Sequence, residues 1–414
     1  MYNKIPGTKD ILPDEVSWWQ NIEQLSRSMF STFNFKEIRP PLVEDISLFN
    51  RTLGEFTEIV QKQMFVIHNQ QDTYALRPEA TASVVRAYLE NNLDKKNGFM
   101  KLFYIGPMFR LERPQKGRLR QFHHVGCEVI GSSCPAVDVE LIALAEALLK
   151  SYGISGYKII LNSLGCLKDK SGLVNILSQG LKDKLTELCD ECKNRYGKNV
   201  LRILDCKNES CRKVVKKLEL AGKHLCSDCS QHFKEVRNGL DGLGIAYEVS
   251  MQLVRGLDYY TRTVFEITHP DLGAQDALGA GGRYDNLVSE LGGPDMGAMG
   301  FAFGMERLFI AGGGNSRAQE EKLVYLVSLG PEAKQTVSKL LSDIRALGIR
   351  ADTDYENRSL KSSMRRANDI NAHLVLIIGE DEIKKGVVTL KNMSDGKQEE
   401  VALDKCAQEI KGRF

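Results

Sequence analysis

Along DEVSWWQNIEQLSRSMFSTF (14–33) apolar groups recur every three to four positions behind an acidic start, which predicts an amphipathic helix. FKEIRPPLVED (35–45) predicts a strand stopped by Pro40 and Pro41, since proline has no N–H for a sheet ladder. RPEATASVVRAYLENNL and PAVDVELIALAEALLKSYGI repeat the helical period, whereas FMKLFYIGPMFRLE and RQFHHVGCEVIG predict two strands. The link between those strands is too short for a crossover helix, so they belong to a hairpin in a mainly antiparallel sheet. From about 163 to 240 the texture changes to lysine-rich helical segments holding cysteine pairs. Strand-like sequence resumes with YEVSMQLVRGLDYYTRTVFEITH (247–269), then the glycine-rich ALGAGGRYDNLV, then MGAMGFAFGMERLFIA, a glycine-flanked strand running into a helix. The segment 163–240 therefore reads as a helical insertion in a first domain of residues 1–320.

AGGGNSRAQEEK (311–322) has linker composition. Beyond it LVYLVSLG, a helical stretch to Leu347, IRADTD, the basic helix SLKSSMRRANDI, HLVLIIG and GVVTLKNM alternate strand and helix. That predicts a small separate α/β domain over 322–414, and an α+β fold class for the chain as a whole.

Composition narrows the function classes. A formal net charge of +2 over 414 residues excludes a histone-like polycation, so contact with nucleic acid must come from local patches. No apolar run of about 18 residues predicts a membrane span, and MYNKIPGTKDILPDE has charges and prolines where a signal peptide needs an apolar core. The expectation is a cytoplasmic protein without membrane contact. In such a chain its ten cysteines read as free thiols or metal ligands rather than disulfides.

The familiar glycine-rich phosphate loops are missing: there is no G-x-x-x-x-G-K-[ST], and GAGGRYDN fails G-x-G-x-x-G in spacing and context. A bound nucleotide must then be held by arginines, whose guanidinium groups grip phosphate oxygens in pairs and stack on bases. FRLERPQKGRLRQF (109–122) sets Arg110, Arg113, Lys116, Arg118 and Arg120 against one carboxylate, Glu112. Arg110 and Glu112 alternate with apolar neighbours and are expected on one strand facing one side, with Phe122 on the partner strand as an aromatic floor. In LVRGLDYYTRTVFE (253–266) Arg255, Asp258, Tyr259, Tyr260 and Arg262 interrupt an apolar run, with Gly256 allowing close backbone approach. GFAFGMERL adds Arg307. Each segment by itself also fits a strand with a solvated face. Together, three arginine-bearing segments on sheet elements predict a site for an anionic substrate.

From IPGTKDILPDE to the C-terminus the sequence resembles the histidyl-tRNA synthetases, a family of class II aminoacyl-tRNA synthetases. FKEIRPPLVE resembles class motif 1, FRLERPQKGRLRQF motif 2 and GFAFGMERL motif 3, while LVRGLDYYTRTVFE and GAGGRYDNLV resemble the two histidine-specific signatures. The resemblance implies a class II catalytic domain with a mainly antiparallel sheet flanked by helices, a helical insertion and a C-terminal α/β anticodon-binding domain. It implies activation of histidine by ATP with Mg²⁺, transfer to tRNA(His), and a homodimer with the region of Pro40 and Pro41 at its interface. No enzyme nucleophile is needed; fixed cations position the reactants and stabilise developing charge.

By the same resemblance Arg110 contacts the α-phosphate and the histidine carboxylate, Arg118 the outer phosphates, and Glu112 the adenine, which lies between Phe122 and Arg307. Arg255 is the distinctive catalytic arginine. Glu79 and Thr81 hold the substrate α-amino group, and Glu128 and Tyr260 bond the imidazole with Tyr259 beside them. Arg113 and Gln115 meet the tRNA acceptor end, and Arg358, Lys361, Arg365 and Arg366 form a phosphate-facing patch on the C-terminal domain. His124 departs from the family, which usually has glutamine there to help bind the α-amino group. An imidazole titrates near pH 6.5, so activity is expected to fall at mildly acid pH.

The cysteines read Cys189-x2-Cys192, Cys206-x4-Cys211 and Cys226-x2-Cys229. Cys189, Cys192, Cys226 and Cys229 suit a tetrahedral structural zinc, with free thiols as the alternative, and nothing marks Cys127, Cys134, Cys166 or Cys406 as ligands. Two rival functions remain at this point. A regulatory paralogue with the same fold would tend to lose the signature arginines and the last domain, and a zinc-dependent nucleic-acid-binding module would leave LVRGLDYY unexplained.

Overall fold

The computed structural model describes residues 2–413 apart from 55–56, 97, 219, 221, 223, 274–275, 315–321 and 357. The chain divides into two compact units, Met1–Ser316 and Arg317–Phe414. Most of the linker reading at 311–322 lies outside the described residues.

In the first unit the described strands form an eight-stranded sheet in the order Lys36–Glu37, Met100–Phe109, Gln121–Ile130, Ala298–Gly304, Ala277–Arg283, Thr261–Thr268, Lys158–Ser163, Glu248–Val249. The inner pairings are antiparallel and the two short outer strands pair in parallel. Helix Pro13–Thr32 begins with Pro13, Asp14 and Glu15, suited to the unpaired N–H groups and positive dipole of a first turn. It buries Trp19, Ile22 and Phe30, and Phe30 stacks on Phe103 of the sheet at 4.5 Å. Helix Pro135–Ser151 buries Leu141, Leu144, Leu148 and Leu149 in the same core, each burial contributing about 2 kcal/mol.

Three expectations change. FKEIRPPLVED is two strands in two sheets: Lys36–Glu37 joins the large one, while Val43–Asp45 pairs with Asp72–Leu76 in a three-stranded sheet. The prolines turn the chain between them, and the Pro40 carbonyl accepts from the Arg77 guanidinium at 2.9 Å. Strand Met100–Phe109 stops before Arg110, so Arg110 and Glu112 follow the strand rather than alternate along it. Similarly, only Thr261–Thr268 of 253–268 is strand; Arg255 to Tyr260 form an irregular stretch. Its polar groups bond to other segments instead: Arg202 donates to the Gly256 carbonyl at 3.0 Å and Lys170 to the Asp258 carbonyl.

Between Ser163 and Glu248 lie the helices Leu167–Leu181, Asp190–Tyr196, Glu209–Lys216 and Ser227–Gly242. The last packs Phe233, Val236 and Leu240 into the core beside helix Pro135–Ser151. Arg283, fully buried, ties this layer to the sheet through Asp138, whose second oxygen meets His232 at 2.9 Å.

The second unit has a mixed five-stranded sheet in the order Ala351–Thr353, Val324–Ser328, Leu374–Ile378, Val387–Asn392, Gln398–Ala402. Helices Pro331–Ala346 and Leu360–Asp369 stand where the apolar spacing predicts them. Strand Gln398–Ala402 and helix Cys406–Lys411 are additions; QEEVA is an edge strand with only Val401 buried, too polar to show in the pattern.

Candidate active site

The hairpin Met100–Phe109/Gln121–Ile130 and strand Ala298–Gly304 floor a cleft of about 1040 Å³. Beneath the floor sits Glu128, 1% exposed, its carboxylate accepting from Tyr284 at 2.6 Å, Thr81 at 2.7 Å and Tyr104 at 3.3 Å. Strand register makes the room. Gly300 lies opposite Glu128, where a Cβ would come within 1.7 Å of the carboxylate, and Gly126 lies opposite Tyr104, where a Cβ would meet the phenol oxygen at 2.5 Å. Burial raises the Glu128 carboxyl to about 8 despite the three hydroxyls, with the nearby Glu79 charge adding to the rise. Glu79 is itself buried, and its two oxygens accept from the backbone N–H of Thr81 (2.6 Å) and Ala82 (3.0 Å) at the start of helix Thr81–Glu90. Burial pushes its carboxyl upward, opposed by those N–H groups and Arg110.

Arg110, Glu112, Arg118, Phe122, His124, Arg255, Tyr259, Tyr260 and Arg307 all line the cleft with Glu79 and Thr81. The Arg110 guanidinium lies 5.3 Å from the centre of the Phe122 ring and donates through Nε to the Pro78 carbonyl at 2.9 Å. Glu112 meets Arg118 at 3.1 Å and Arg110 at 3.9 Å, so the two cations are joined through one carboxylate even though no strand carries them. Arg307 donates through Nε to the Gly117 carbonyl at 3.0 Å, fastening the basic loop to the start of helix Met305–Ala311. Burial lowers the guanidinium pKa of Arg110 and Arg307, yet from a starting point at which both stay charged near neutrality.

His124 corrects the expected acid sensitivity. Burial, and then the charges of Arg110, Arg307 and Arg77, press its imidazole down to about 3, so it remains neutral throughout the mildly acid range. Its Nδ1 is buried without a hydrogen-bond partner among the described residues.

Arg255 pairs with Glu266 at 2.7 Å, and its guanidinium is 6.0 Å from the centre of the Tyr260 ring. Its Nε is buried without a partner among the described residues. Asn199, in the segment between the cysteine pairs, donates to Asp258 at 3.3 Å, which fixes this loop from a distance in sequence. Sequence reasoning missed Tyr104, Tyr284 and Glu266. Glu266 had a signal, a carboxylate in the apolar run of a central strand, and Tyr284 lies within GAGGRYDNLV; Tyr104 had none, because only the pairing of the hairpin sets it beside Glu128.

Some predicted residues lie elsewhere. Arg113 and Gln115 are exposed at the tip of the basic loop, where Gln115 and Arg118 form a backbone bridge. Lys116 donates to the Asp271 carbonyl, and Arg120 clasps the N-terminal segment through the Pro6 and Gly7 carbonyls. In the second unit Lys361, Arg365 and Arg366 are exposed on one helix, whereas Arg358 is held by Glu356 at 2.7 Å and Asp354 at 3.9 Å. The expected zinc set is wrong. Cys189 and Cys192 converge with Cys206 and Cys211, while Cys226 and Cys229 converge with Cys166 and Asp169. Spacing in sequence paired the two C-x2-C elements, but each caps a different helix and the helices bring them to different partners.

The sheet presents convergent arginines and an aromatic ring on the very segments that resemble motifs 2 and 3, the arrangement of a class II aminoacyl-tRNA synthetase. The histidyl-tRNA synthetase family model matches residues 7–308 and the anticodon binding domain model residues 323–413. The chain belongs to the histidyl-tRNA synthetase family. It is 44% identical over 415 aligned residues to the histidine-tRNA ligase of Thermodesulfovibrio yellowstonii, covering 100% of this chain and 99% of that one. Against the histidine-tRNA ligase of Desulfotalea psychrophila the identity is 46% over 402 residues, covering 96% and 93%. The apo histidyl-tRNA synthetase of S. aureus superposes with a TM-score of 0.82 at 33% identity, covering 99% of this chain and 100% of that one. The reaction of this family is activation of histidine and its attachment to tRNA.

Proposed function

We propose that the cleft binds histidine over the Glu128 cage and ATP along the basic wall, so that the histidine carboxylate attacks the α-phosphorus and pyrophosphate leaves. The acyl group then passes to a terminal ribose hydroxyl of tRNA(His). In this reading Arg110 bridges the α-phosphate and the histidine carboxylate, Arg118 holds the outer phosphates, and adenine stacks between Phe122 and Arg307 beside Glu112. Arg255 neutralises the charge that builds at the α-phosphate. Preorganised cations of this kind act most strongly where water is excluded, and neither step needs a covalent enzyme intermediate.

Glu79 receives the substrate ammonium while its caps hold it in place, and neutral His124 accepts from the same ammonium. Glu128 and Tyr260 bond the imidazole, with Tyr259 beside them. A ligand lacking the imidazole N–H groups would leave buried polar groups unpaired, which is the basis of discrimination. Bound Mg²⁺ would neutralise charge on the phosphates. Glu112 and Glu266, two of the carboxylates that line the cleft beside the arginines, would hold it.

The tRNA is met by Arg113 and Gln115 at the acceptor end and by Arg358, Lys361, Arg365 and Arg366 in an anticodon domain spanning 322–414, with catalysis in 1–320. The working form is a cytoplasmic homodimer. Leu42, Val43, Val66 and Ile67, each about two-fifths exposed on and beside the three-stranded sheet, support an interface near Pro41. Sedimentation velocity should show a dimer that Val43→Glu weakens; a monomer of the intact chain would overturn that assignment. Among the described residues no helix is long and apolar enough to cross a membrane.

One observation carries the catalytic reading: a single cleft holds Arg110, Arg118, Arg255 and Arg307 and ends on the hydroxyls that cage Glu128. Histidine-dependent exchange of labelled pyrophosphate into ATP tests it. The intact protein should exchange, and Arg255→Ala should lower the rate by about 10²- to 10³-fold. Absence of exchange by the intact protein would reject the reading.

A further inference from the structure

We propose that the segment between Ser163 and Glu248 is held by two structural zinc ions, one bound by Cys189, Cys192, Cys206 and Cys211 and the other by Cys166, Asp169, Cys226 and Cys229. In each set the four ligand atoms lie within 4.8 Å of one another, on residues largely shielded from solvent. A tetrahedral Zn–thiolate centre with bonds near 2.3 Å requires sulfur atoms about 3.8 Å apart. Cys189 Sγ and Cys206 Sγ are 3.9 Å apart, and all ten cysteines are free thiols rather than disulfides.

The surrounding backbone is arranged for thiolates. The N–H of Cys189 points at Cys211 Sγ (3.2 Å), that of Asn208 at Cys206 Sγ (3.4 Å), and that of Cys166 at Cys229 Sγ (3.2 Å). Cys166 and Cys226 each stand at a helix N-cap position, so their sulfurs sit at the positive ends of two long helices. Asp169, in the first turn of helix Leu167–Leu181, accepts from the N–H of Cys166 and of Cys226, which joins the two ends of the segment. Four thiols gathered this closely are ordinary ligands for a soft-to-borderline cation, whereas an apolar core would be filled by larger branched side chains.

The two sites have different consequences. The Cys166 set closes the neck of the segment against helix Ser227–Gly242, which belongs to the catalytic core. In the four-cysteine set Cys189 and Cys206 reach the rim of the cleft, and between them run Arg195, Asn199 and Arg202. Arg202 bonds the Gly256 carbonyl, next to Arg255, and Asn199 bonds Asp258. The metal therefore acts as a positioning element for the arginine loop and takes no part in the reaction.

Elemental analysis of the full chain, purified without chelators, should give two equivalents of zinc. Cys206→Ser and Cys211→Ser should each retain one, Cys226→Ser and Cys229→Ser should each retain one, and Cys134→Ser, outside both sets, should retain two. The full chain produced with cobalt should show the absorption of tetrahedral thiolate cobalt, and the bands that survive in Cys211→Ser belong to the Asp169 site. Loss of the four-cysteine metal should lower the rate constant of pyrophosphate exchange about tenfold with little change in KM for histidine. One equivalent that disappears in Cys211→Ser would overturn the Asp169 site. No zinc, with the cysteines of both sets reacting freely with a thiol reagent in the native protein, would overturn both.

Discussion

Glu128 stands in a strand paired on both sides, surrounded by hydroxyls from strand Met100–Phe109, from the first residue of helix Thr81–Glu90 and from Tyr284 just past strand Ala277–Arg283, whereas Arg255 stands in a stretch with no helix or strand of its own. The Glu128 end of the cleft is thus built around the sheet, where two glycines hold space for two large polar groups. The loop that carries Arg255 is held by side-chain bonds from residues far away in sequence: Lys170, Asn199 and Arg202. A sheet fixes position through many ladder bonds, and a loop through the few it can borrow. The floor should therefore resist local change until a contact is violated, while the wall should loosen in steps.

The sharpest break of this comparison is Gly300→Ala. The added methyl would press on both the Glu128 carboxylate and the Cys127 carbonyl, so a loss of about 1–3 kcal/mol in stability is expected, with histidine affinity reduced along with it. Calorimetric unfolding and histidine titration measure both; unchanged values would mean that the floor is not close-packed around Glu128.

On the wall, Arg202→Ala removes one charged donor to the Gly256 carbonyl, worth about 1.5–3 kcal/mol when such a bond is lost from a shielded site. If half of that reaches the transition state, the exchange rate falls about 4- to 12-fold with the fold intact. An unchanged rate would show that the loop holds Arg255 without help.

Titration gives a clean sign. The folded Glu128 carboxyl sits at about 8 while in the unfolded chain it is near 4.3, so between these values the folded state binds more protons and stability falls as pH rises. Glu128→Gln removes that slope, and its stability relative to the parent should climb from pH 5 to pH 8 in denaturant titrations. His124→Gln should leave the pH–rate profile above pH 5 unchanged, because His124 is already neutral there.

Legibility in the sequence followed the same division. The hairpin around the basic loop and the glycine-flanked strand Ala298–Gly304 could be read because long apolar alternation and glycine spacing are local signals. Strand ends could not: Phe109 and Thr261 mark where the sheet stops, and that depends on which partner strands run alongside. Cysteine spacing suggested one ligand set, whereas helix packing gathers two side-chain clusters, drawing in Cys166 and Asp169, which no motif distinguished.

The order of motifs, the arginines that bear them and the family they define follow from the sequence alone, since phosphate recognition depends on residue type and short spacing. Only the tertiary structure decided that His124 is neutral, that Glu128 is caged by Tyr104, Tyr284 and Thr81, and that Arg202 bonds the carbonyl next to Arg255. Protonation, register and borrowed contacts all depend on distances between segments far apart in the chain, and those distances exist only once the chain has folded.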